Sequence, residues 1–227
     1  IGKGATSSVK IVSKTEKYAK KELNDFTHQN VKRFIGEGEI LFKLRHPCII
    51  RIHGFNFGNE KLPPSLILSL EPKSLETAIN KKELDNNQKN LIIVEIVLGM
   101  RFIHSKNFMH RDLKPSNILL SKNLHAKISD FGLARNENLE SSLSKGVGTL
   151  RFMAPEILEE TDEAISYTNK IDVYSFGITL VFIITNEYSK FSIKNVVAGV
   201  KPNLPKTIIP WVKNLIENCL ALSPNDR

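Results

Sequence analysis

The sequence predicts an α+β protein in which a strand-rich part precedes a larger helical part. Residues 1–70 carry short runs typical of strands around a single helical pattern, whereas most segments after residue 75 have helical periodicity. The chain has 227 residues and is 41% hydrophobic, so it can bury a sizeable core. That composition excludes disordered, collagen-like and coiled-coil proteins. We therefore expect two lobes, a connector near residues 70–74 and a cleft between the lobes.

The predicted strands of the first part are short and close together. They cover residues 9–11, 18–23, 49–57 and 66–70. In the second strand the period of two places Ala19, Lys21 and Leu23 on one face. Because burying an unpaired ammonium group is costly, Lys21 needs an anionic partner there.

The helical pattern over residues 24–44 can supply that partner. Glu37 lies on the apolar stripe of this helix. Exposure of both Lys21 and Glu37 to solvent is the alternative, because lysine and glutamate are mostly exposed. Gly36 and Gly38 flank Glu37. Since each glycine costs about 1 kcal/mol relative to alanine inside a helix, we predict a loosely held helix.

The second part contains helical patterns and one hairpin. The helices are predicted over residues 75–81, 88–104, 170–185 and 207–221, and the hairpin joins residues 118–120 to 126–129. Trp211 lies in an apolar helical pattern, so we expect it in the core. No apolar run reaches the roughly 20 residues that a membrane-spanning helix needs, so no membrane segment is expected.

The first residues contain glycines spaced as in a phosphate-binding loop. Residues 1–9 read IGKGATSSV. Since glycine has no Cβ, backbone N–H groups at these positions can approach a polyphosphate closely. An ordinary turn explains this pattern equally well, and the chain lacks the G-x-x-x-x-G-K-[ST] pattern of Walker-type nucleotide sites.

The strongest chemical signal is in residues 110–117, which read HRDLKPSN and are followed after the hairpin by DFG. The hairpin brings its two open ends together, so Asn117 and Asp130 should converge. A carboxylate beside an amide oxygen suits Mg²⁺ held jointly with phosphates. Asp112 can then accept a hydrogen bond from an attacking hydroxyl group, and Lys114 can neutralise a transferring phosphoryl group.

Together with APE at residues 154–156, these segments closely resemble the signatures of eukaryotic protein kinases, and the likeness covers essentially the whole chain. The resemblance implies a bilobal kinase fold with a small antiparallel β-sheet lobe, one regulatory helix and a large, mainly helical lobe. It implies a kinase domain trimmed at both ends. The expected boundaries are about 1–68 for the small lobe, 69–74 for the hinge and 75–227 for the large lobe.

The resemblance also implies ATP and Mg²⁺ as cofactors, with Mn²⁺ as an alternative metal. Lys21, paired with Glu37, would orient the α- and β-phosphates. Asp130 and Asn117 would hold the metal ion, and Asp112 would be the catalytic base. The resemblance also implies that Lys114 assists phosphoryl transfer.

The implied nucleotide-binding residues surround the adenine ring and the phosphates. Val9, Ala19 and Leu119 would sandwich the ring, and Leu68 would be the gatekeeper of a shortened hinge. The full set is Ile1, Gly2, Gly4, Val9, Ala19, Lys21, Leu68, Ser69, Leu70, Glu71, Leu119 and Asp130. Ser7 replaces the third glycine of the phosphate loop, and its Cβ is expected to weaken ATP binding.

Two local features favour serine/threonine specificity. Lys114 follows Asp112 by two residues, as in serine/threonine kinases, and GTLRFM before APE resembles the tyrosine-kinase-like branch of those enzymes. The implied partner is a protein substrate with a serine or threonine acceptor. A pseudokinase that senses nucleotide or acts as a scaffold is one alternative, supported by Ser7 and the short hinge. A dual-specificity or tyrosine kinase is another.

The segment between DFG and APE has no clear periodicity, which is typical of functional or disordered segments. We expect an activation loop controlled by an upstream kinase or by autophosphorylation. The expected acceptors are Ser141, Ser142, Ser144 and Thr149. Arg111 would form part of the site that receives the phosphate group. The resemblance further implies that Asp172 anchors the catalytic loop, which is the HRDLKPSN segment at residues 110–117. It also implies that Glu156 pairs with Arg227.

The net charge of +8 favours acidic partners without choosing among them. We expect no nucleic-acid partner, because the chain has no basic run and no aromatic stacking motif. Cys48 and Cys219 are too far apart for a C-x-x-C metal motif. Free buried thiols in a reducing compartment are the favoured interpretation, which predicts a cytoplasmic location.

Overall fold

The first part of the chain forms an antiparallel sheet, and helices dominate the remainder. The computed structural model describes residues 2–3, 7–13, 17–59, 62–136, 150–158, 167–188 and 193–227. The predicted α+β fold with a strand-rich part followed by a helical part is confirmed. The exact lobe boundaries stay a prediction.

Five strands of the first part build one sheet in the order β1-β2-β3-β5-β4. They are β1 Gly2–Lys3, β2 Ser7–Ser13, β3 Lys17–Leu23, β4 Ile52–Asn56 and β5 Ser65–Ser69. All neighbouring pairs are antiparallel, and β3 lies in the centre with Val9 opposite Lys21 and Leu68 opposite Ala19. The sheet therefore aligns three predicted adenine-binding residues with the predicted phosphate-orienting lysine.

The strand predicted over residues 49–57 begins later, at Ile52. Ile50 N–H donates instead to the Ile128 carbonyl at 2.9 Å, and Ile128 N–H donates to the Cys48 carbonyl at 2.8 Å. Residues 48–50 thus pair with the hairpin of the helical part. Their apolar character is explained by burial between the two parts and not by a longer strand.

Helix α1, His28–Lys43, packs one face on this sheet. Phe34, Glu37 and Leu41 are among its buried residues. Gly38 is a point of close approach, because a Cβ there would lie 2.7 Å from Phe55 Cδ2 of β4, whereas a Cβ at Gly36 would meet no heavy atom within 4 Å. One of the two glycines therefore has a packing role and the other has none.

The second part is assembled around a buried helix. Its helices are α2 Leu75–Asn80, α3 Asn86–Ser105, α4 Pro155–Leu158, α5 Lys170–Thr185, α6 Ile193–Val197 and α7 Pro210–Cys219. Its short strands are β6 Lys73–Ser74, β7 Phe108–Met109, β8 Ile118–Leu120, β9 Ala126–Ile128 and β10 Arg135–Asn136. Twelve of the residues of α5 are buried, which makes this helix the centre of the core.

The expectation that Trp211 lies in the core is wrong, since its side chain is 65% exposed. The buried residues of α7 are Ile216 and Cys219, and α7 packs on α5. Trp211 lies in the first turn of α7, away from that face. Cys48 and Cys219 are buried free thiols, as predicted. In the described ranges no helix is both long and apolar enough to cross a membrane.

Candidate active site

Lys21 connects the sheet, helix α1 and the end of the hairpin. Its Nζ lies 2.7 Å from Glu37 Oε1, 2.8 Å from Glu37 Oε2 and 3.0 Å from Asp130 Oδ1. Glu37 is only 3% exposed, so the prediction of an inward-facing pair is right and the solvent-exposed alternative is wrong. Although burial alone lowers the pKa of a lysine, the charges of Glu37 and Asp130 raise the pKa of Lys21 above its usual range.

Asp130 combines an accessible carboxylate with an unusual backbone. Its side chain is 48% exposed, and the charge of Lys21 holds the pKa of Asp130 below its usual value. The φ angle of Asp130 is 64°, a left-handed conformation that is uncommon outside glycine. Such conformations persist where the surrounding structure enforces them, and they concentrate at functional sites.

The residues of the HRDLKPSN segment form a connected group around Asp112. Asp112 is buried, and its Oδ2 accepts hydrogen bonds from Lys114 Nζ at 2.7 Å and Asn117 Nδ2 at 2.9 Å. Asn117 Nδ2 also donates to the Asp112 carbonyl at 2.9 Å. The predicted base, its lysine neighbour and the predicted metal ligand therefore lie within one hydrogen-bonded network.

The hairpin joins this group to Asp130. Strand β8 pairs with β9 through Ile118 and Ile128, and Ser129 N–H donates to the Asn117 carbonyl at 2.8 Å. Ser129 Oγ donates to the same carbonyl at 2.9 Å. Ser129 faces Asn117, and Asp130 is the next residue in the chain. The predicted convergence of Asn117 and Asp130 is therefore confirmed.

The buried carboxylate of Asp172 on α5 binds the backbone of the catalytic loop. Asp172 accepts hydrogen bonds from His110 N–H and Arg111 N–H at 2.8 Å each, and His104 Nε2 lies 2.9 Å from its Oδ2. Although burial raises the pKa of a carboxyl group, the hydrogen bonds with His104 and with Arg111 N–H hold the pKa of Asp172 below its usual value. The predicted anchoring contact of Asp172 is observed. Arg111, with a φ angle of 68°, is held in a left-handed conformation.

His110 links the loop to the DFG segment. Its Nδ1 accepts a hydrogen bond from Asp112 N–H at 3.3 Å, and its Nε2 donates to the Ser129 carbonyl at 3.0 Å. Its ring meets the buried Phe131 ring edge-on, with centroids 4.9 Å apart. The imidazole therefore connects the predicted base with the segment that carries the predicted metal ligand Asp130.

The predicted adenine-binding residues border the connector. Leu119 on β8 pairs with Ser74 on β6, just after residues 70–72 link the two parts of the chain. Ser69 N–H donates to the Arg51 carbonyl at 2.9 Å, so this donor is used within the protein. Leu70 and Glu71 lie between β5 and β6, and burial raises the pKa of Glu71. Their contacts with adenine stay predictions.

The phosphate loop is described only in part. Gly2 lies on β1 opposite Val9, and Ser7 begins β2 opposite Leu23. Ile1 and Gly4 lie outside the described residues. The roles of this segment in binding ATP stay predictions.

The donor set fits a metal ion held jointly with phosphate oxygens. Asp130 presents an accessible carboxylate. Within the described residues both hydrogen bonds of the Asn117 side chain use Nδ2, so Oδ1 could take a cation. The described residues contain no group of three His, Cys, Asp or Glu side chains suited to a metal ion. A site with two protein oxygen ligands is the kind that Mg²⁺ completes with water and substrate phosphates.

The predicted regulatory residues are mostly outside the described ranges. These are Ser141, Ser142, Ser144 and Thr149, and their roles stay predictions. Arg111 is described, and its backbone is fixed by Asp172. The predicted pair of Glu156 and Arg227 is observed, with two contacts of 2.6 and 2.8 Å.

Two supporting residues escaped the sequence analysis. They are His104, which contacts Asp172, and His110, whose ring contacts Ser129 and Phe131. The position of His110 beside the predicted base was an available signal. His104 lies 68 residues from Asp172, and nothing in the local sequence connects them.

Comparisons with known proteins match the chain to protein kinases. The family model described as "Protein kinase domain" matches residues 1–227. The chain is 42% identical over 208 residues to the RGS domain-containing serine/threonine-protein kinase A of Dictyostelium discoideum, covering 89% of this chain and 16% of that protein. It is 32% identical to the serine/threonine/tyrosine-protein kinase HT1 of Arabidopsis thaliana, covering 86% of this chain and 52% of that protein.

A third relative is the serine/threonine-protein kinase CTR1 of Arabidopsis thaliana, with 31% identity over 88% of this chain and 26% of that protein. The chain thus spans between 16% and 52% of the length of these relatives. HT1 and CTR1 are of the tyrosine-kinase-like type, so the predicted resemblance to that branch is confirmed. The motifs, the geometry around Asp112 and Lys21 and the full-length family match lead to one conclusion. The chain belongs to the protein kinase domain family.

Proposed function

We propose that this chain is an active serine/threonine kinase domain that transfers the γ-phosphoryl group of Mg-ATP to protein hydroxyl groups. As a protein kinase domain it acts on protein substrates and uses ATP with a divalent metal ion. The observation that carries the proposal is Lys21, which contacts Glu37 and Asp130 together, beside a connected group of Asp112, Lys114 and Asn117. A decayed site would have lost at least one of these side chains.

The side chains of the site have different roles in phosphoryl transfer. Lys21, held by Glu37, orients the α- and β-phosphates. Asp112 accepts a hydrogen bond from the substrate hydroxyl group and positions it for attack, and Lys114 Nζ offsets negative charge on the transferring phosphoryl group. Asp130 and Asn117 would hold the metal ion, which would supply positive charge beside the phosphate oxygens. His110 and Asp172 keep the loop in place while the substrate binds.

Magnesium is the proposed metal, with Mn²⁺ able to replace it. Both proposed ligands supply oxygen atoms, which hard divalent cations prefer. Mg²⁺ usually combines one or two carboxylates with substrate phosphates, and the single carboxylate of Asp130 beside the Asn117 amide matches that pattern. We also propose control through phosphorylation of the segment after DFG, and the intracellular location stays a prediction supported by two free buried cysteines.

Tyrosine acceptors are a second candidate activity because the relative HT1 is named a serine/threonine/tyrosine kinase. A pseudokinase remains the competing class, favoured by Ser7 in the phosphate loop. Both are decided by the same measurement.

The proposal is tested by phosphate transfer from Mg-ATP to matched serine, threonine and tyrosine peptides. Asp130→Asn removes the only carboxylate of the proposed metal site, and we expect it to lower kcat/KM by about 100-fold or more. Asp226→Asn, an exposed aspartate in a 3₁₀ turn, is the matched control and should keep full activity. Thermal unfolding verifies that each variant is folded.

Undiminished transfer by Asp130→Asn, or no transfer by folded wild-type protein, would overturn the enzyme proposal. Transfer confined to tyrosine peptides would replace the serine/threonine assignment. Repeating the assay with Mn²⁺ instead of Mg²⁺ compares the two metals on the same site.

A further inference from the structure

Arg151 occupies an exposed position beside the catalytic loop. It is the middle residue of the 3₁₀ turn Leu150–Phe152. Phe152 is buried and lines a small cleft together with Asp112. The Phe152 carbonyl accepts a hydrogen bond from Ser175 Oγ of α5 at 2.8 Å, which fixes the turn to the core. Arg151 therefore meets solvent one residue away from a side chain that borders the proposed base.

The orientation of the Arg151 guanidinium group is set by an aromatic ring. The guanidinium carbon lies 4.7 Å from the centroid of the Tyr188 ring. That ring is stacked on Phe182 of α5 at 4.3 Å, and its hydroxyl group donates a hydrogen bond to Glu76 of α2. Two elements of the core thus hold the ring on which the arginine rests.

Within the described part of the chain Arg151 forms no ion pair, and its guanidinium group contacts the Tyr188 ring. Stacking occupies one face of the planar guanidinium group and leaves its N–H donors at the edge, in the geometry that matches a carboxylate. The Glu76 carboxylate is engaged by the Tyr188 hydroxyl group. Leu150, next to Arg151, is 51% exposed, so the turn offers a cation beside an apolar side chain.

We propose that Arg151 is a specificity-determining residue that favours protein substrates with a carboxylate side chain close to the phosphate acceptor. The inference rests on the proposed kinase function and deepens it. Arg151 directly precedes Phe152, which lines the cleft with Asp112, so we expect the carboxylate only a few residues from the acceptor in an extended peptide. The chain's net charge of +8 adds a general attraction for acidic peptides.

The test is a scan in which glutamate or glutamine is placed at each of the positions flanking a serine acceptor. We expect glutamate to raise kcat/KM about three- to tenfold at one position in wild-type protein, as for a partly exposed charge-assisted hydrogen bond. Arg151→Gln should reduce this ratio to about one. Higher salt should also shrink the ratio.

Three further variants test whether the preference for glutamate depends on the charge of Arg151 itself. Arg151→Glu should reverse the preference, so that lysine is favoured at the same position. Arg101→Gln, an exposed arginine on α3, removes the same charge elsewhere and should keep the wild-type ratio. Tyr188→Phe keeps the ring but loses the hydroxyl contact with Glu76, and it should keep the ratio as well.

The outcomes distinguish this inference from the function on which it rests. Equal rates on glutamate and glutamine peptides, or a preference that survives Arg151→Gln, would overturn the role of Arg151 alone. A preference lost equally in Arg101→Gln would assign the effect to net charge and overturn it too. No transfer to any peptide by folded wild-type protein would overturn both proposals.

Discussion

Two buried carboxylates hold the candidate active site, and they do so in different ways. Glu37 on α1 is 3% exposed and is contacted by the flexible side chain of Lys21. Asp172 on α5 is 1% exposed and receives two backbone N–H groups of the catalytic loop. The first contact joins a surface helix to the sheet, whereas the second ties a loop to the most buried helix of the protein.

The difference suggests that the contact of Glu37 with Lys21 can be broken at low cost in stability, whereas the contacts of Asp172 cannot. Loss of the Glu37 contact leaves Lys21 with Asp130 as a second anionic partner. Loss of Asp172 leaves one buried and one partly buried backbone N–H group without an acceptor, and an unpaired buried donor is costly. We therefore expect changes at Glu37 to affect activity more than stability, and changes at Asp172 to affect both.

The largest effect is predicted for Asp172→Ala. Because the His110 and Arg111 N–H groups and the His104 ring lose their shared acceptor, the free energy of unfolding should fall by about 3 to 5 kcal/mol. Activity should be lost with it, since the loop carries Asp112. Urea unfolding followed by circular dichroism measures the change, and a loss below about 1 kcal/mol would contradict the anchoring role.

The charge of Asp172 should also be visible in the pH dependence of stability. Its pKa is lowered in the folded protein, so its contribution is complete above the unfolded pKa of about 3.9 and disappears as the pH falls through the folded value. The stability difference between wild-type protein and Asp172→Asn should therefore shrink as the pH is lowered below about 4. A difference independent of pH would mean that the carboxylate charge contributes nothing.

An intermediate effect is predicted for Glu37→Gln. The misplaced Lys21 should lower kcat/KM by about 10- to 100-fold, because small displacements of positioning groups have large effects on rate. Stability should change by only about 1 kcal/mol, since Lys21 keeps its contact with Asp130. Glu39→Gln, an exposed position on the same helix, is the matched control. If both variants kept wild-type rates, Lys21 would not depend on Glu37.

The smallest effects are predicted for the two glycines of α1, and they should have opposite signs. Gly36→Ala should raise the free energy of unfolding by about 0.5 to 1 kcal/mol, because the added Cβ meets open space. Gly38→Ala should lower it by about 1 to 3 kcal/mol, because its Cβ would press on Phe55. Hydrogen exchange of α1 in the wild type and Gly36→Ala tests whether the helix is loosely held. Protection equal to that of α3 would contradict that prediction.

The sequence predicted the site more completely than it predicted the packing around it. The pairing of Lys21 with Glu37 followed from a strand period and a helical stripe, and the meeting of Asn117 with Asp130 followed from hairpin geometry. These are local rules applied to two segments at a time. They succeed because a side chain's face is fixed by the backbone of its own element.

The features that escaped prediction depend on contacts between distant segments. Residues 48–50 have strand character, but their partner is Ile128 on the hairpin and not the neighbouring sheet. Trp211 has apolar neighbours in sequence, yet the face of α7 that meets α5 does not include it. His104 reaches Asp172 across the core. Sequence periodicity identifies an apolar face without identifying what covers it.

The pairing of Cys48 and Ile50 with Ile128 fixes the chain shortly after the end of α1. Helix α1 ends at Lys43 and the chain is hydrogen-bonded to the hairpin five residues later, so we expect any tilt of the helix to pivot about that end. Glu37 lies six residues before Lys43, or about 9 Å along the helix axis. A tilt of roughly ten degrees therefore displaces Glu37 by about 1.5 Å, enough to separate it from Lys21. In such a tilt the end at His28, which residues 24–27 join to β3, would move farthest, so a contact made there would act most strongly on the ion pair.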